Sequence, residues 1–362
     1  MTSIPPGATI GILGSGQLGR MLGVAAAEMG YRIHVFAPEH GPANDVASAF
    51  TPGGYDDLAA LAAFGDAVDV VTYEFENIDP AAVAHLASHA PVSPAGRSLE
   101  VSRYRLAEKA LVRDLGGRTA PYRAVDDLAS LEVALGEIGA PAILKTTLFG
   151  YDGKGQARID TAHDAAAAWD TIGAPKRLGD ASPAILEGRV DFAHEFSLIL
   201  CRGVDGATAI WDAPDNRHAA GILKTSTLPA PPEVAAQADA AKPLARAVAE
   251  ALGHVGVLTL EFFATADGPV FNEMAPRVHN SGHWTIEGAE TSQFENHIRA
   301  ICGLPLGPTT LTAAQVEMEN LIGDDAARWA ELFAEPGAHV HLYGKHEARP
   351  GRKMGHVTRL RR

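Results

Sequence analysis

Cysteine is nearly absent: Cys201 and Cys302 are the only two in 362 residues. Two thiols cannot staple a framework, so the fold has to hold itself together by burying apolar surface. No stretch reaches the roughly 18 consecutive apolar residues that a membrane-crossing helix needs. Positive charge is scarce as well. Thirty Lys and Arg stand against 44 Asp and Glu, a formal charge of −14, and a chain of that sign lacks the basic excess that binding nucleic-acid phosphates demands. The opening MTSIPPGATIGILGSGQLG has no charged start followed by an apolar run and a small-residue cleavage site, so nothing marks the chain for secretion and a cytoplasmic location is expected. What is present is 46% apolar and 20% charged, with 37 Gly and 23 Pro spread along the chain rather than gathered. That composition excludes disorder and collagen-like repeats. At this length two or three packed domains are expected rather than one core.

The apolar run Thr9 to Leu13 leads into Gly14-Ser15-Gly16-Gln17-Leu18-Gly19 and then an apolar-periodic segment from Arg20 to Gly30. This reads as strand, glycine turn and helix. Further strands over Arg32 to Ala37 and Ala67 to Tyr73 make the first 97 residues an α/β unit with a doubly wound parallel sheet. Residues 98–118 read as one helix, with Ser98 as its N-cap and Gly116-Gly117 as its stop. Beyond Pro121 the pattern changes to short strands, at 141–145, 184–188 and 195–202, and a helix over Pro232 to Leu252 precedes a hairpin from Val257 to Met274 that turns at Asp267-Gly268. The whole is therefore α/β followed by α+β.

Three clusters carry chemistry. The first glycine loop, Gly14 to Gly19, would let backbone N–H groups meet an anion at a helix N-terminus. A dinucleotide wants an acid at the end of the second strand, about 20 residues on, where this chain has Phe36-Ala37-Pro38; Gln17 at the loop tip suits a sugar phosphate equally well. The second loop, Gly150-Tyr151-Asp152-Gly153-Lys154-Gly155-Gln156, follows Lys145 at a strand end. Its glycines permit a fold over a polyphosphate, to which Lys145 and Lys154 offer charge. It lacks the P-loop order. The third cluster is the hairpin itself. A turn near residue 267 places Glu261 roughly opposite Glu273, with Asn272 beside it, and two carboxylates and an amide suit Mg²⁺; a salt bridge to Arg277 is the alternative. Arg277, His279, Asn280, Ser281 and His283 follow within seven residues and would line a pocket, although His283 beside Trp284 is equally a packed ring. Finally, Lys345 to Arg362 holds seven Lys or Arg and one acid, Glu347. Its net +6 leaves −20 for the rest and calls for an anionic partner, small or internal.

Six segments, GSGQLGRML, YEFENI, FGYDGKGQ, GILKTS, NEMAPRVHNSGHWT and RPGRKMGH, together resemble the ATP-grasp superfamily and, within it, the N5-carboxyaminoimidazole ribonucleotide synthases of purine biosynthesis. The resemblance implies an ATP-grasp ligase with an N-terminal α/β domain (1–97), a linker helix and small β-rich lid (98–190), a catalytic subdomain (191–305) and a C-terminal segment that completes the substrate site (306–362). It implies ATP and Mg²⁺ as cofactors, 5-aminoimidazole ribonucleotide and bicarbonate as substrates, and a homodimer. Carried over by residue, Arg105 and Lys145 would touch phosphates and Gly150 to Gln156 would cover them. Glu187, Gly188, Arg189 and Val190 would hold adenine, Glu195 the ribose and His218 a further nucleotide position. Glu261 and Glu273 would be the magnesium ligands, with Asn272 adjacent. Tyr151, Lys154, Arg277 and His279 would surround bicarbonate and the amine. Gln17, Glu76 and Asn280 would face the ribonucleotide, with Lys345 and Arg352 on its phosphate. Lys154 stands where some relatives have arginine, and the chain stops soon after KMGH, so a C-terminal helix is expected to be short or absent. A nicotinamide oxidoreductase, a nucleotide sensor without turnover and a formate-using transformylase are the rival readings.

Overall fold

The structure is a computed structural model that describes residues 3–148, 155–176 and 181–361. The N-terminal region runs β1 (Thr9–Leu13), α1 (Gln17–Glu28), β2 (Arg32–Ala37), β3 (Ala49–Pro52), α2 (Leu58–Gly65), β4 (Val70–Tyr73), α3 (Pro80–Leu86), α4 (Gly96–Ser102) and α5 (Arg105–Asp114). Its four strands form a parallel sheet in the order β3-β2-β1-β4. β1 is central, and Ile10, Ile12 and Leu13 are fully buried, as expected of a parallel strand covered on both faces. α1 begins at Gln17, with Gly16 in extended conformation as its N-cap, so the glycine turn opens directly onto a helix N-terminus.

The single helix expected over 98–118 is two. α4 ends at Ser102, and Tyr104, in extended conformation, caps a new helix. The first N–H of that helix, on Arg105, donates to the Thr147 carbonyl at 3.1 Å. Tertiary contact wins over helix propensity here, and the break turns Arg105, Glu108 and Lys109 toward the rest of the protein.

The lid comprises β5 (Tyr122–Val125), α6 (Leu128–Ile138), β6 (Ala142–Thr146), β7 (Gln156–Ile159), α7 (Ala165–Thr171) and β8 (Ala184–Gly188). Its antiparallel sheet, β5-β8-β6-β7, packs Leu144 and Leu186 against Leu131 and Leu135 of α6. The Asp127 carboxylate caps α6 through the Ser130 N–H at 2.8 Å, which satisfies a donor that has no partner within the helix.

The remainder runs β9 (His194–Arg202), β10 (Thr208–Ile210), β11 (Asp215–Ala219), β12 (Ile222–Leu228), α8 (Pro232–Ala251), β13 (Gly256–Thr265), β14 (Gly268–Ala275), α9 (Thr285–Gly288), α10 (Gln293–Ile301), β15 (Gln315–Ile322), α11 (Trp329–Ala334), β16 (Ala338–Leu342) and β17 (Lys353–Arg361). These strands join one sheet, ordered β14-β13-β9-β11-β12-β15-β17-β16, with β10 against β9. Strands from 191–305 and from 306–362 thus share a sheet, sewn together where β12 pairs with β15. Among the described residues no helix is long and apolar enough to cross a membrane.

Two buried histidines stitch the N-terminal region to this sheet. His297 Nδ1 accepts from the Val257 N–H at 3.1 Å, which leaves its Nε2–H to donate to Thr72 Oγ1 at 2.8 Å. His254 Nε2 lies 3.0 Å from the Val257 carbonyl, and its Nδ1 lies 3.0 Å from Ser98 Oγ. His297 is therefore neutral by its partners, and the Ser98 hydroxyl can donate to a neutral His254 at Nδ1. Burial lowers His254 to about 4 and His297 to about 3. In the unfolded chain each returns to about 6.5, so their contribution is complete above pH 6.5 and is lost as the pH falls to about 4 for His254 and about 3 for His297. We expect urea-unfolding stability to drop below pH 6.5 by up to about 1.4 kcal/mol per pH unit for each ring. In His297→Gln that slope should be shallower; an unchanged slope contradicts the assignment.

Candidate active site

Glu261 lies on β13 and Glu273 on β14, at a fault in the ladder. Leu260 pairs with Met274 and Phe262 with Phe271, so a β-bulge sets both Asn272 and Glu273 against Glu261. Glu261 thus stands roughly opposite Glu273, as expected, with Asn272 added by the bulge: two residues face one, which re-aims their side chains. Each carboxylate has a cationic or ring-nitrogen partner. Glu273 Oε2 accepts from Arg105 at 2.7 Å, and Glu261 Oε1 lies 3.0 Å from His279 Nε2. Burial would raise the Glu273 carboxyl, but Arg105, Lys145 and Lys109 together hold it well below its usual range. Arg277 Nε donates to Glu76 Oε2 at 2.5 Å.

A cleft of about 320 Å³ lies beside the hairpin, lined by Ile143, Lys145, Glu187, Gly188, Val190 and Phe263 among others. Lys145 Nζ donates to Glu187 Oε2 at 3.0 Å, and Lys109 Nζ lies 3.1 Å from Glu187 Oε1. Against its burial, these lysines and Arg105 hold the Glu187 carboxyl at about 2. Burial pushes Glu108 the other way, up to about 8. Three cations, Arg105, Lys109 and Lys145, therefore face two ionised carboxylates, Glu187 and Glu273, and the excess is positive where a phosphate chain would lie. Arg189 uses its N–H on the Pro141 carbonyl at 3.1 Å, which ties the strand end to the lid. Farther along β9, Glu195 lies 3.2 Å from His218 Nδ1. Burial would lower His218, but that contact outweighs it and raises the ring.

Gly150, Tyr151, Asp152, Gly153 and Lys154 lie outside the described residues. Gly155, at φ +67°, accepts through its carbonyl from the Thr146 N–H at 2.8 Å, and Gln156 pairs with Lys145 at the start of β7. A Cβ on Gly155 would stand 2.6 Å from Thr146 Oγ1, so glycine is required there. Asn280 exchanges hydrogen bonds with Asn320, at 2.8 and 2.7 Å. His283 is fully buried and hydrogen-bonded to Gln293 at 3.3 Å, which makes it a core ring. Lys345 donates to the Lys353 carbonyl at 2.6 Å, and Arg352 donates to the Glu347 carbonyl at 2.9 Å.

The donor set suits magnesium. Among the described residues no three His, Cys, Asp or Glu side chains converge as a ready-made cage. Two carboxylates and the Asn272 Oδ1, a buried atom without a hydrogen-bond partner, are nonetheless hard oxygen donors on one bulge. Mg²⁺ characteristically takes one or two carboxylates and completes its shell with phosphates and water.

The first glycine loop is closed by the protein itself. Gly16 N–H donates to Glu74 Oε1, and Gly19 N–H donates to Glu74 Oε2 at 2.7 Å. A Cβ at Gly14 would stand 2.4 Å from this side chain, and one at Gly16 would stand 2.6 Å away. The anion that the loop awaits is thus a carboxylate from the end of β4, and the dinucleotide reading falls. Gln17 sits half-buried at the same helix start. Glu74 was not singled out in the sequence, although its position directly after an apolar strand was the available signal. Burial raises its carboxyl, while the two N–H groups, Arg277 and Lys345 pull it down. Gly344, next to Lys345, also lies against Asp45 and Arg20 of the N-terminal region. Removing a charge-assisted partner of this kind costs roughly 1–3 kcal/mol, and Glu74→Gln is expected to lose about that much in urea unfolding. Unchanged stability would contradict the role.

The same regions match known families. Residues 7–103 match the ribonucleotide synthetase preATP-grasp domain, 110–294 the ATP-grasp domain and 317–362 the phosphoribosylaminoimidazole carboxylase C-terminal domain. The N5-carboxyaminoimidazole ribonucleotide synthase of Brucella melitensis is 49% identical over 99% of this chain and 98% of its own. A crystal structure of an N5-carboxyaminoimidazole ribonucleotide synthetase with ADP superposes with a TM-score of 0.92 at 43% identity, covering 99% of this chain and 94% of that one. The Aspergillus clavatus enzyme, solved with ADP and 5-aminoimidazole ribonucleotide, gives 0.88 at 29% identity over 98% and 93%. With the ATP-grasp arrangement of lid, hairpin and parallel-sheet domain matched along essentially its whole length, the chain belongs to the ATP-grasp family of N5-carboxyaminoimidazole ribonucleotide synthases.

Proposed function

We propose that the protein carboxylates 5-aminoimidazole ribonucleotide to N5-carboxyaminoimidazole ribonucleotide with ATP and bicarbonate, releasing ADP and phosphate, in purine biosynthesis. One observation carries the reading: Arg105, Lys109, Lys145, Glu187 and Glu273, drawn from four different elements, form one linked cluster beside the cleft, three cations against two carboxylates. A cleft of that kind suits a nucleoside triphosphate, with adenine against Glu187 to Val190, the ribose at Glu195 and His218, and the phosphates at Arg105 and Lys145.

Bicarbonate is a poor electrophile, because hydroxide is a bad leaving group. Transfer of the γ-phosphoryl to a bicarbonate oxygen makes carboxyphosphate, whose phosphate departs when the 5-amino group attacks the carboxyl carbon. Magnesium held by Glu261 and Glu273, with Asn272 adjacent, would offset charge on the phosphates. Lys145 and Arg105 exchange their carboxylate partners for phosphoryl oxygens and orient the chain for in-line transfer. Gly150 to Gln156 excludes water from the short-lived intermediate, with Tyr151, Lys154, Arg277 and His279 around bicarbonate and the amine. Gln17, Glu76 and Asn280 face the ribonucleotide. Lys345 and Arg352 take its 5′-phosphate, Arg352 by its planar fork. This gives the basic tail an internal use that needs no nucleic acid. A homodimer and a cytoplasmic location complete the proposal.

ADP release tests it directly, measured with bicarbonate and aminoimidazole ribonucleotide omitted in turn. Release should fall to background without either one; undiminished release without the ribonucleotide contradicts the proposal. In Arg352→Ala the KM for the ribonucleotide should rise roughly 10- to 100-fold, the loss of one charge-assisted contact, with the KM for ATP little changed. Equal losses on both substrates would remove Arg352 from the phosphate.

A further inference from the structure

Glu108 and Lys109, consecutive residues of α5, are 1% and 0% exposed. Burying two ionisable groups side by side is costly unless each finds a partner. Here both partners are main-chain groups of β14, the terminal strand of its sheet, and they flank one residue. Lys109 Nζ donates to the Asn272 carbonyl at 2.9 Å, and Glu108 Oε2 accepts from the Met274 N–H at 2.9 Å. Between them stands Glu273, whose carboxylate is taken by Arg105, one turn earlier on the same helix. Lys109 also reaches the other wall of the cleft, lying 3.1 Å from Glu187 Oε1 while Lys145 holds Glu187 Oε2 at 3.0 Å.

We propose that Lys109 is a positioning residue of the nucleotide site, acting on Glu273 through the Asn272 carbonyl and on Lys145 through Glu187. The inference deepens the nucleotide and metal reading above and rests on it. Sealed from solvent, the Lys109 ammonium touches neither nucleotide nor cation. Its use lies in what happens when the nucleotide binds: Lys145 and Arg105 turn toward phosphate, so Glu187 loses the cation on one oxygen and Glu273 loses its own. Lys109 cannot follow them, and it keeps Glu187 neutralised on β8 and the bulge of β14 in place. Sequence pattern alone gives no hint of this, because a lysine in an amphipathic helix reads as a solvated one.

Steady-state kinetics of Lys109→Met, a substitution of similar volume without the charge, provide the test. The KM for ATP should rise at least tenfold and the half-saturating Mg²⁺ concentration should rise with it. The KM for aminoimidazole ribonucleotide should stay within twofold, and kcat should fall by less than the KM for ATP rises. Lys109→Arg, which keeps the charge, should recover part of the loss. A KM for ATP within twofold of wild type overturns the inference, whatever the melting temperature does, and so do equal rises for both substrates, the mark of general loosening. If Lys109→Met does not fold, Lys109→Gln, which keeps a donor for the Asn272 carbonyl while removing the charge, carries the same test under the same criteria. Glu273→Ala separates this inference from its foundation. An active Glu273→Ala removes the metal reading itself, whereas an inactive one beside a Lys109→Met of unchanged ATP KM removes only the role of Lys109.

Discussion

Glu273 occupies a bulge on the terminal strand of a sheet, where the ladder to β13 is interrupted. Main-chain pairing therefore cannot fix it, and side chains of α5 do so instead: Arg105 on its carboxylate, with Lys109 and Glu108 on the peptide groups either side. The break between α4 and α5 exists to make this possible, because a continuous helix would point those three side chains elsewhere. A local departure from regular structure in one element thus answers a local departure in another.

The same economy of charge runs through the N-terminal region. A glycine-rich turn at a helix start attracts an anion, and in this chain the anion is Glu74. Lys345 and Arg277 also bear on Glu74, and Arg277 pairs with Glu76, so the loop that could have served a dinucleotide is filled from within the chain. The basic tail, which looks unbalanced in the sequence, is partly answered by nearby acids, Arg349 by Glu347 and Arg359 by Glu335 and Glu319.

Much of this was legible beforehand. The strand-glycine-helix start, the lid strands at 142–146 and 184–188 and the hairpin around Asp267-Gly268 follow from hydrophobic period and turn chemistry, and the structure forms them within a few residues of expectation. The joint occurrence of six segments carried the family. What escaped depends on long-range contact. The helix break at Tyr104 is set by the Thr147 carbonyl, 43 positions away in the chain. The bulge shifts a register that counting back from the turn makes even. Glu74 and Lys109 are single charged residues whose meaning appears only when their partners, far away in sequence, arrive beside them. His283, whose motif left a site and a packed ring equally open, is buried against Gln293 in the core.

The central claim is that Glu261 and Glu273, set against each other by the bulge, share a divalent cation beneath a nucleotide's phosphates. A crystal structure with ADP and Mn²⁺, read by the anomalous signal of the metal, tests it most directly. The account predicts one manganese bound to oxygens of both glutamates, with Arg105 moved from Glu273 onto phosphate. Nucleotide bound in the cleft with no metal at the hairpin, and with Glu261 and Glu273 still on His279 and Arg105, would contradict it.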